Sequence, residues 1–226
     1  MDDFRLHVET IELEPGAVKR TGRWKWIGEL REESACFRAP NSLLSCMTGN
    51  RHIQNLALIG FMGTGKTSVG RLIAQRLNFK FVDTDELIEA RAGKTISVLF
   101  AEAGEGAFRE LEQQVVAELG QSEKSVIATG GGLAANAANL ASLKEHALVI
   151  CLWASPEIIW ERVRSQAHRP LLQEADPLGK IRQLLAAREP FYKQADVLVN
   201  TEMRSIKEVS HHVLYEFRLG LRPSVH

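Results

Sequence analysis

Residues 60–67 read GFMGTGKT, and their reading decides the fold. The eight positions fit G-x-x-x-x-G-K-[ST]. They follow an apolar run, NLALI at 55–59, and precede an amphipathic stretch through Leu77. Strand, glycine-rich turn and helix form the setting in which this spacing cradles phosphate. Glycines let successive N–H groups point into one concavity, and the helix start adds the positive end of its dipole. Lys66 supplies a point charge for the β- and γ-phosphates, and the Thr67 hydroxyl is a ligand for Mg²⁺. A nucleoside triphosphate is the expected ligand. Its contacts fall on Gly63, Thr64, Gly65, Lys66, Thr67 and Ser68.

Working outward, short apolar runs alternate with helical patterns. The expected strands are NLALIG, FKFVD, KSVIATG, ALVICLW and DVLVNT. Between them lie stretches such as 67–77, where Val69, Leu72, Ile73 and Leu77 share a helical face. Apolar strands joined by helical crossovers imply a parallel sheet covered on both faces. Five strands predict a three-layer α/β domain. Ser155-Pro156-Glu157 and Asp176-Pro177 read as helix starts, and Gly93 and Gly120 as helix ends. The last helix is expected over 205–219 with Val209, Val213 and Phe217 inward.

A chain of 226 residues with 45% hydrophobic residues can bury one sizeable core. Its 28 basic and 28 acidic residues cancel, which argues against general attraction to nucleic acid or acidic membranes. No apolar run reaches the roughly 20 residues of a membrane-spanning helix. The scattered cysteines Cys36, Cys46 and Cys151 lack metal-ligand spacing and fit a reducing, cytoplasmic compartment. Cys151, inside ALVICLW, reads as core. A monomer is expected.

Residues 1–50 do not share the strand–helix rhythm, and they lack the apolar core of an export signal. We expect an extension dispensable for chemistry, with the compact domain spanning 51–226 and Met47 a sensible start for it. A hairpin around Pro15-Gly16 is conceivable from an imperfect alternation.

The triphosphate needs an acceptor. No N-K-x-D guanine-reading motif is present. FVDTDELIE, 81–89, puts Asp83 and Asp85 at the carboxyl end of the second strand, where ligands bind in open α/β sheets. Residues i and i+2 of an extended segment project to the same side, so both carboxylates can face one crevice. The alternative is that Asp83 or Thr84 merely caps the following helix. FRELE, 108–112, sets Arg109 beside an aromatic at a helix start. TGGGLA, 129–134, lets backbone approach a ligand closely. HRPLL and REPFY place Arg169 and Arg188 on either side of a helix. Each arginine alone reads as a solvated surface residue; with the phosphate loop they describe an anion-rich site.

The ordered set G-x-x-G-x-G-K-T, D-T-D, F-R-x-x-E, G-G-G, R-P-L-L and R-E-x-x-Y resembles the shikimate kinase family over nearly all of residues 54–220. The resemblance implies a P-loop kinase fold with a helical substrate-binding insertion (about 83–115) and a small lid (about 164–176). It implies transfer of phosphate from ATP to the 3-hydroxyl of shikimate. It places Mg²⁺ on Thr67 and, through water, on Asp83, and gives Asp85 the substrate hydroxyls. It sets Arg109 and Arg188 on the substrate carboxylate, with Glu112 as buttress. Gly130, Gly131 and Gly132 would present backbone N–H to substrate, and Phe100 and Phe108 would wall its ring. Lys66, Asp85 and Arg169 become the catalytic set. Arg164 is the nearest candidate to lie against adenine, with Arg162 the alternative. A related gluconate-type kinase or a non-catalytic sensor are the competing readings; an acceptor panel separates them.

Overall fold

The computed structural model describes residues 51–165 and 176–221. The expected extension over 1–50 lies outside them, as does most of the expected lid, Arg169 included. Five strands form one wholly parallel sheet: β1 (Asn55–Ile59), β2 (Lys80–Asp83), β3 (Ser125–Ala128), β4 (Ala147–Trp153) and β5 (Val197–Asn200). Their spatial order is β2-β3-β1-β4-β5. All five expected strands are present.

Each crossover is helical, through α1 (Lys66–Leu77), α2 (Thr84–Ala92), α3 (Ile96–Leu119), α4 (Ala137–His146), α5 (Pro156–Val163) and α6 (Pro177–Tyr192), and α7 (Ile206–Gly220) follows the last strand. The period-2 projection of β1 feeds two cores. Leu56 and Leu58 pack with Val69 and Ile73 of α1 and Val213 and Phe217 of α7. Ala57 and Ile59 join the opposite cluster, with Val115 of α3, Leu143 of α4 and Ile159 of α5. Buried on both faces, β1 and β4 carry unbroken apolar runs. Cys151 is wholly buried, and burial pushes its thiol up to about 12.

Helix α5 starts at Pro156 as expected, although Ser155 makes no side-chain cap hydrogen bond, whereas two other caps follow sequence chemistry. Asp176 accepts from the Gly179 N–H at 2.9 Å, and Ser205 and Glu208 form a reciprocal capping box. Gly93 ends α2 in the left-handed region at φ 63°, whereas Gly120 ends α3 with a right-handed φ of −60°.

Helix α3 starts at Ile96 but is two helices joined across a kink at Gly104, whose φ of 79° and ψ of 176° no helix accommodates. The second of them begins just after the kink, so Arg109 stands near the start of a helix, as expected; α6 differs from expectation. Arg188 does not flank α6 but lies inside it, because the helix runs on through Pro190 to Tyr192. Proline there removes only a ladder N–H near the helix end. Among the described residues, no helix is long and apolar enough to cross a membrane.

Candidate active site

The site is built where β1, β2 and β3 end. After β1 the chain turns through Gly60, Gly63 and Gly65, with φ of 133°, 76° and 95°. At Gly60 a side chain is excluded twice, by that φ and because a Cβ would strike the Leu152 carbonyl. The turn delivers Lys66 to the first position of α1. Its Nζ donates to the Phe61 carbonyl at 2.8 Å, as does the Thr64 hydroxyl.

After β2, Asp83 serves two structures at once. Its Oδ1 accepts the Asp85 N–H at 3.1 Å, capping α2, and its Oδ2 accepts the Thr67 hydroxyl at 2.9 Å. Capping and ligand-facing geometry, alternatives in the sequence, coexist because a carboxylate has two oxygens. Thr67 and Asp83 together offer hard oxygen donors suited to Mg²⁺, which keeps several waters and is completed by substrate phosphates. Among the described residues no cluster of three or more His, Cys, Asp or Glu side chains stands ready for an all-protein metal cage.

After β3 comes the glycine run, and a different polar side chain lies against each glycine. A Cβ on Gly130 would collide with Asp85 Oδ1; one on Gly132 would stand 2.9 Å from Arg109 Nη1. The Gly131 carbonyl accepts from Arg188 Nη1 at 3.0 Å and from the Tyr192 hydroxyl at 2.9 Å. None of the three glycines has a positive φ. Space, rather than backbone freedom, is what glycine provides here. Gly130 is fixed by donating to the buried Thr84 hydroxyl at 2.9 Å. Asp85, Arg109 and Arg188, scattered over about a hundred positions of sequence, thus meet along a single tripeptide.

The electrostatics are those of a charged, partly dry site. Burial, reinforced by the charge of Asp83, raises the Asp85 carboxyl to about 6, although Lys66 pulls the other way. Burial weighs against the Arg109 guanidinium, but hydrogen bonds to Glu112 and Glu105 outweigh it and hold its pKa above the usual value. Burial also pushes the Glu112 carboxyl up, opposed by Arg109 and Arg188. The two tendencies compete within one pair. We read it as ionised, since the 2.6 Å Nη1–Oε2 contact is the length of a charge-assisted hydrogen bond. Arg188 lies over the Phe61 ring, 5.3 Å from its centroid. Tyr192, raised to about 12 by burial, stays a hydroxyl donor.

A cleft of about 320 Å³ joins the phosphate loop, the two acids and Gly131, but Arg109, Arg188, Glu112, Gly130, Gly132, Phe100 and Phe108 are not among its lining residues. Of the predicted residues, Gly63, Gly65, Lys66, Thr67, Ser68, Asp83, Asp85 and Gly131 line it, as does Arg162, the alternative candidate for adenine; Met62 and Thr129 line it without having been expected. Arg162 is tied to the phosphate loop by a 3.3 Å bond to the Gly63 carbonyl and to the β5–α7 connection by two bonds to Thr201. Arg164, the nearer candidate by sequence, is exposed at the end of α5 and is not among the lining residues. Phe100 and Phe108 pack ring to ring at 4.7 Å beside Arg109; Phe108 is buried and Phe100 is exposed. Sequence reading missed Tyr192 as a partner of Gly131 and Glu105 as a partner of Arg109. The i, i+4 spacing to Arg188 and Arg109 was the available signal.

The family model described as shikimate kinase matches residues 62–218. This chain belongs to the shikimate kinase family. It is 42% identical over 165 residues to a shikimate kinase of Thermodesulfovibrio yellowstonii, covering 73% of this chain and 95% of that one. It is 47% identical to one of Symbiobacterium thermophilum, covering 71% and 94% respectively. Among solved structures, the shikimate kinase of Acinetobacter baumannii in complex with shikimate superposes with a TM-score of 0.68 at 37% identity, covering 72% of this chain and 91% of that one. The parallel sheet, the phosphate loop and the converging acid and arginines are thus set in a chain that shikimate kinases match along almost their whole length.

Proposed function

We propose that this chain transfers the γ-phosphoryl group of ATP to the 3-hydroxyl of shikimate, the step of aromatic amino acid biosynthesis that makes shikimate 3-phosphate. The observation that carries the reading is the convergence of Asp85, Arg109 and Arg188 on Gly130–Gly132, with Asp85 and Gly131 sharing one cleft with Lys66 and Thr67. A cyclic triol acid needs arginine forks for its carboxylate and a carboxylate for its hydroxyls. A triphosphate needs the loop.

In this reading the loop N–H groups and Lys66 hold the β- and γ-phosphates, and Arg162 faces the nucleoside in place of Arg164. Arg109 and Arg188 fix the substrate carboxylate while Phe108 walls the ring. Asp85 accepts a hydrogen bond from the 3-hydroxyl. That oxygen bonds to the γ-phosphorus as the bridging bond to the β-phosphate breaks, and Asp85 stands nearest to take the hydroxyl proton. Mg²⁺ held by Thr67, and by Asp83 through water, would supply charge neutralisation for the phosphates. Phosphoryl transfer depends chiefly on alignment and charge stabilisation. The lid arginine, Arg169, completes the cationic set.

The test is an acceptor panel. Purified protein with ATP and Mg²⁺ should release ADP with shikimate and not with gluconate. Release with gluconate alone would replace the substrate, and release with neither would remove the catalytic reading.

A further inference from the structure

Arg109 is not waiting with open hands. Its Nη1 donates to Glu112 Oε2 at 2.6 Å, and its Nε and Nη2 both donate to Glu105 Oε1, at 3.2 Å and 2.8 Å. The two carboxylates differ in setting. The Glu112 side chain is 1% exposed, whereas that of Glu105 is 66% exposed. Glu112 is a fixed buttress. Glu105 occupies the Nε–Nη2 edge, one of the two edges through which a guanidinium grips a carboxylate in bidentate fashion, and the one that Glu112 leaves.

We infer that Glu105 is an internal stand-in for the substrate carboxylate: it holds the gripping edge of Arg109 and must be displaced when an acid substrate binds. The inference rests on the proposed assignment of Arg109 to that carboxylate. The local chain favours a displaceable group. Gly104 breaks the helix just before Glu105 in a conformation open essentially only to glycine. A Cβ at Gly104 or Gly106 would meet nothing within 4 Å, so neither glycine is there to make room for packing. An exposed i, i+4 ion pair is also weak enough to yield to a ligand. The consequence is a selectivity filter: an acceptor without a carboxylate cannot replace the interaction it removes.

The opposing view, that Glu105 positions Arg109 for substrate, makes the opposite prediction. Titration calorimetry should measure shikimate and ATP binding to the wild-type chain, Glu105→Gln and Glu105→Ala. Removing an internal competitor should tighten shikimate binding about two- to fivefold, the strength of an exposed ion pair, and leave ATP binding in place. Weaker or unchanged shikimate binding in both variants would overturn the inference. If either variant melts below the wild type, Glu105→Asp, shortened but still charged, replaces it; tighter binding supports the stand-in and weaker binding refutes it. A wild-type chain that does not bind shikimate would remove the proposed function and this inference together, whereas normal wild-type binding with weaker variants removes this inference alone.

Discussion

Asp85 is expensive where it stands. A carboxyl raised from 3.8 to about 6 costs the fold on the order of 3 kcal/mol when ionised at neutral pH. Because the folded value is the higher one, the stability from protonation is present below pH 3.8 and is lost as pH rises through about 6. Asp85→Asn should therefore stabilise the chain at pH 7 to 8 in thermal or denaturant melts, with the gain shrinking towards pH 4. The same variant should lose turnover. For the wild type, kcat/KM for shikimate should fall as pH drops through about 6, since a protonated Asp85 is a weaker acceptor and cannot take the alcohol's proton. A rate flat from pH 7 to pH 5 would contradict that role. Arg109→Ala should raise the shikimate Kd about 30- to several-thousand-fold, the cost of truncating a desolvated charge pair, with ATP affinity held. A fall in ATP affinity alone would contradict the pocket assignment. The residue scale also shows where sequence reading stopped. Successive helical residues turn about 100°, so Arg162 and Arg164 point to nearly opposite sides, and only the register of α5 against the phosphate loop decides between them. Glu105 lies four residues before Arg109, the spacing of a helical ion pair, but spacing alone does not tell that pair from an ordinary solvated one.

The elements were more legible than their ends. Strand periodicity and the glycine-lysine loop define β1, α1 and the sheet, because burial on both faces leaves unbroken apolar runs. Helix limits depend on single backbone conformations, which is why the break at Gly104 and the continuation of α6 through Pro190 escaped a reading by pattern. The glycine run was legible as a place of close approach, but not as the meeting point of particular side chains. Its tightest member yields a prediction. Gly130→Ala would drive a methyl into Asp85 Oδ1, the mobile end of a side chain. The fold should survive while Asp85 is pushed aside. A misplacement of about 1 Å costs on the order of a hundredfold in rate, so kcat should fall to that extent with ATP KM unchanged. An active Gly130→Ala enzyme would show that Asp85 need not stand there.

At the scale of the molecule, the order β2-β3-β1-β4-β5 inserts β3 between β1 and β2. That insertion puts the glycine run between the phosphate loop and the paired acids. The parallel sheet was legible, but the strand order is not written in apolar periodicity. It follows from which crossovers pack where. No residue of 1–50 is assigned a role in the proposed chemistry; if that segment is dispensable, as expected from the sequence, a chain lacking 1–46 should retain kcat/KM for shikimate within about twofold of the full chain, measured by coupled ADP release. A large loss would give that segment a role in the site. The most direct test of a shared cleft with handover to a defined hydroxyl is phosphorus NMR of the product. With ATP, Mg²⁺ and shikimate, one new phosphomonoester coupled to the ring proton at carbon 3 should grow in step with ADP. Coupling to the proton at carbon 4 or 5, or ADP forming without any phosphorylated ring, would contradict it.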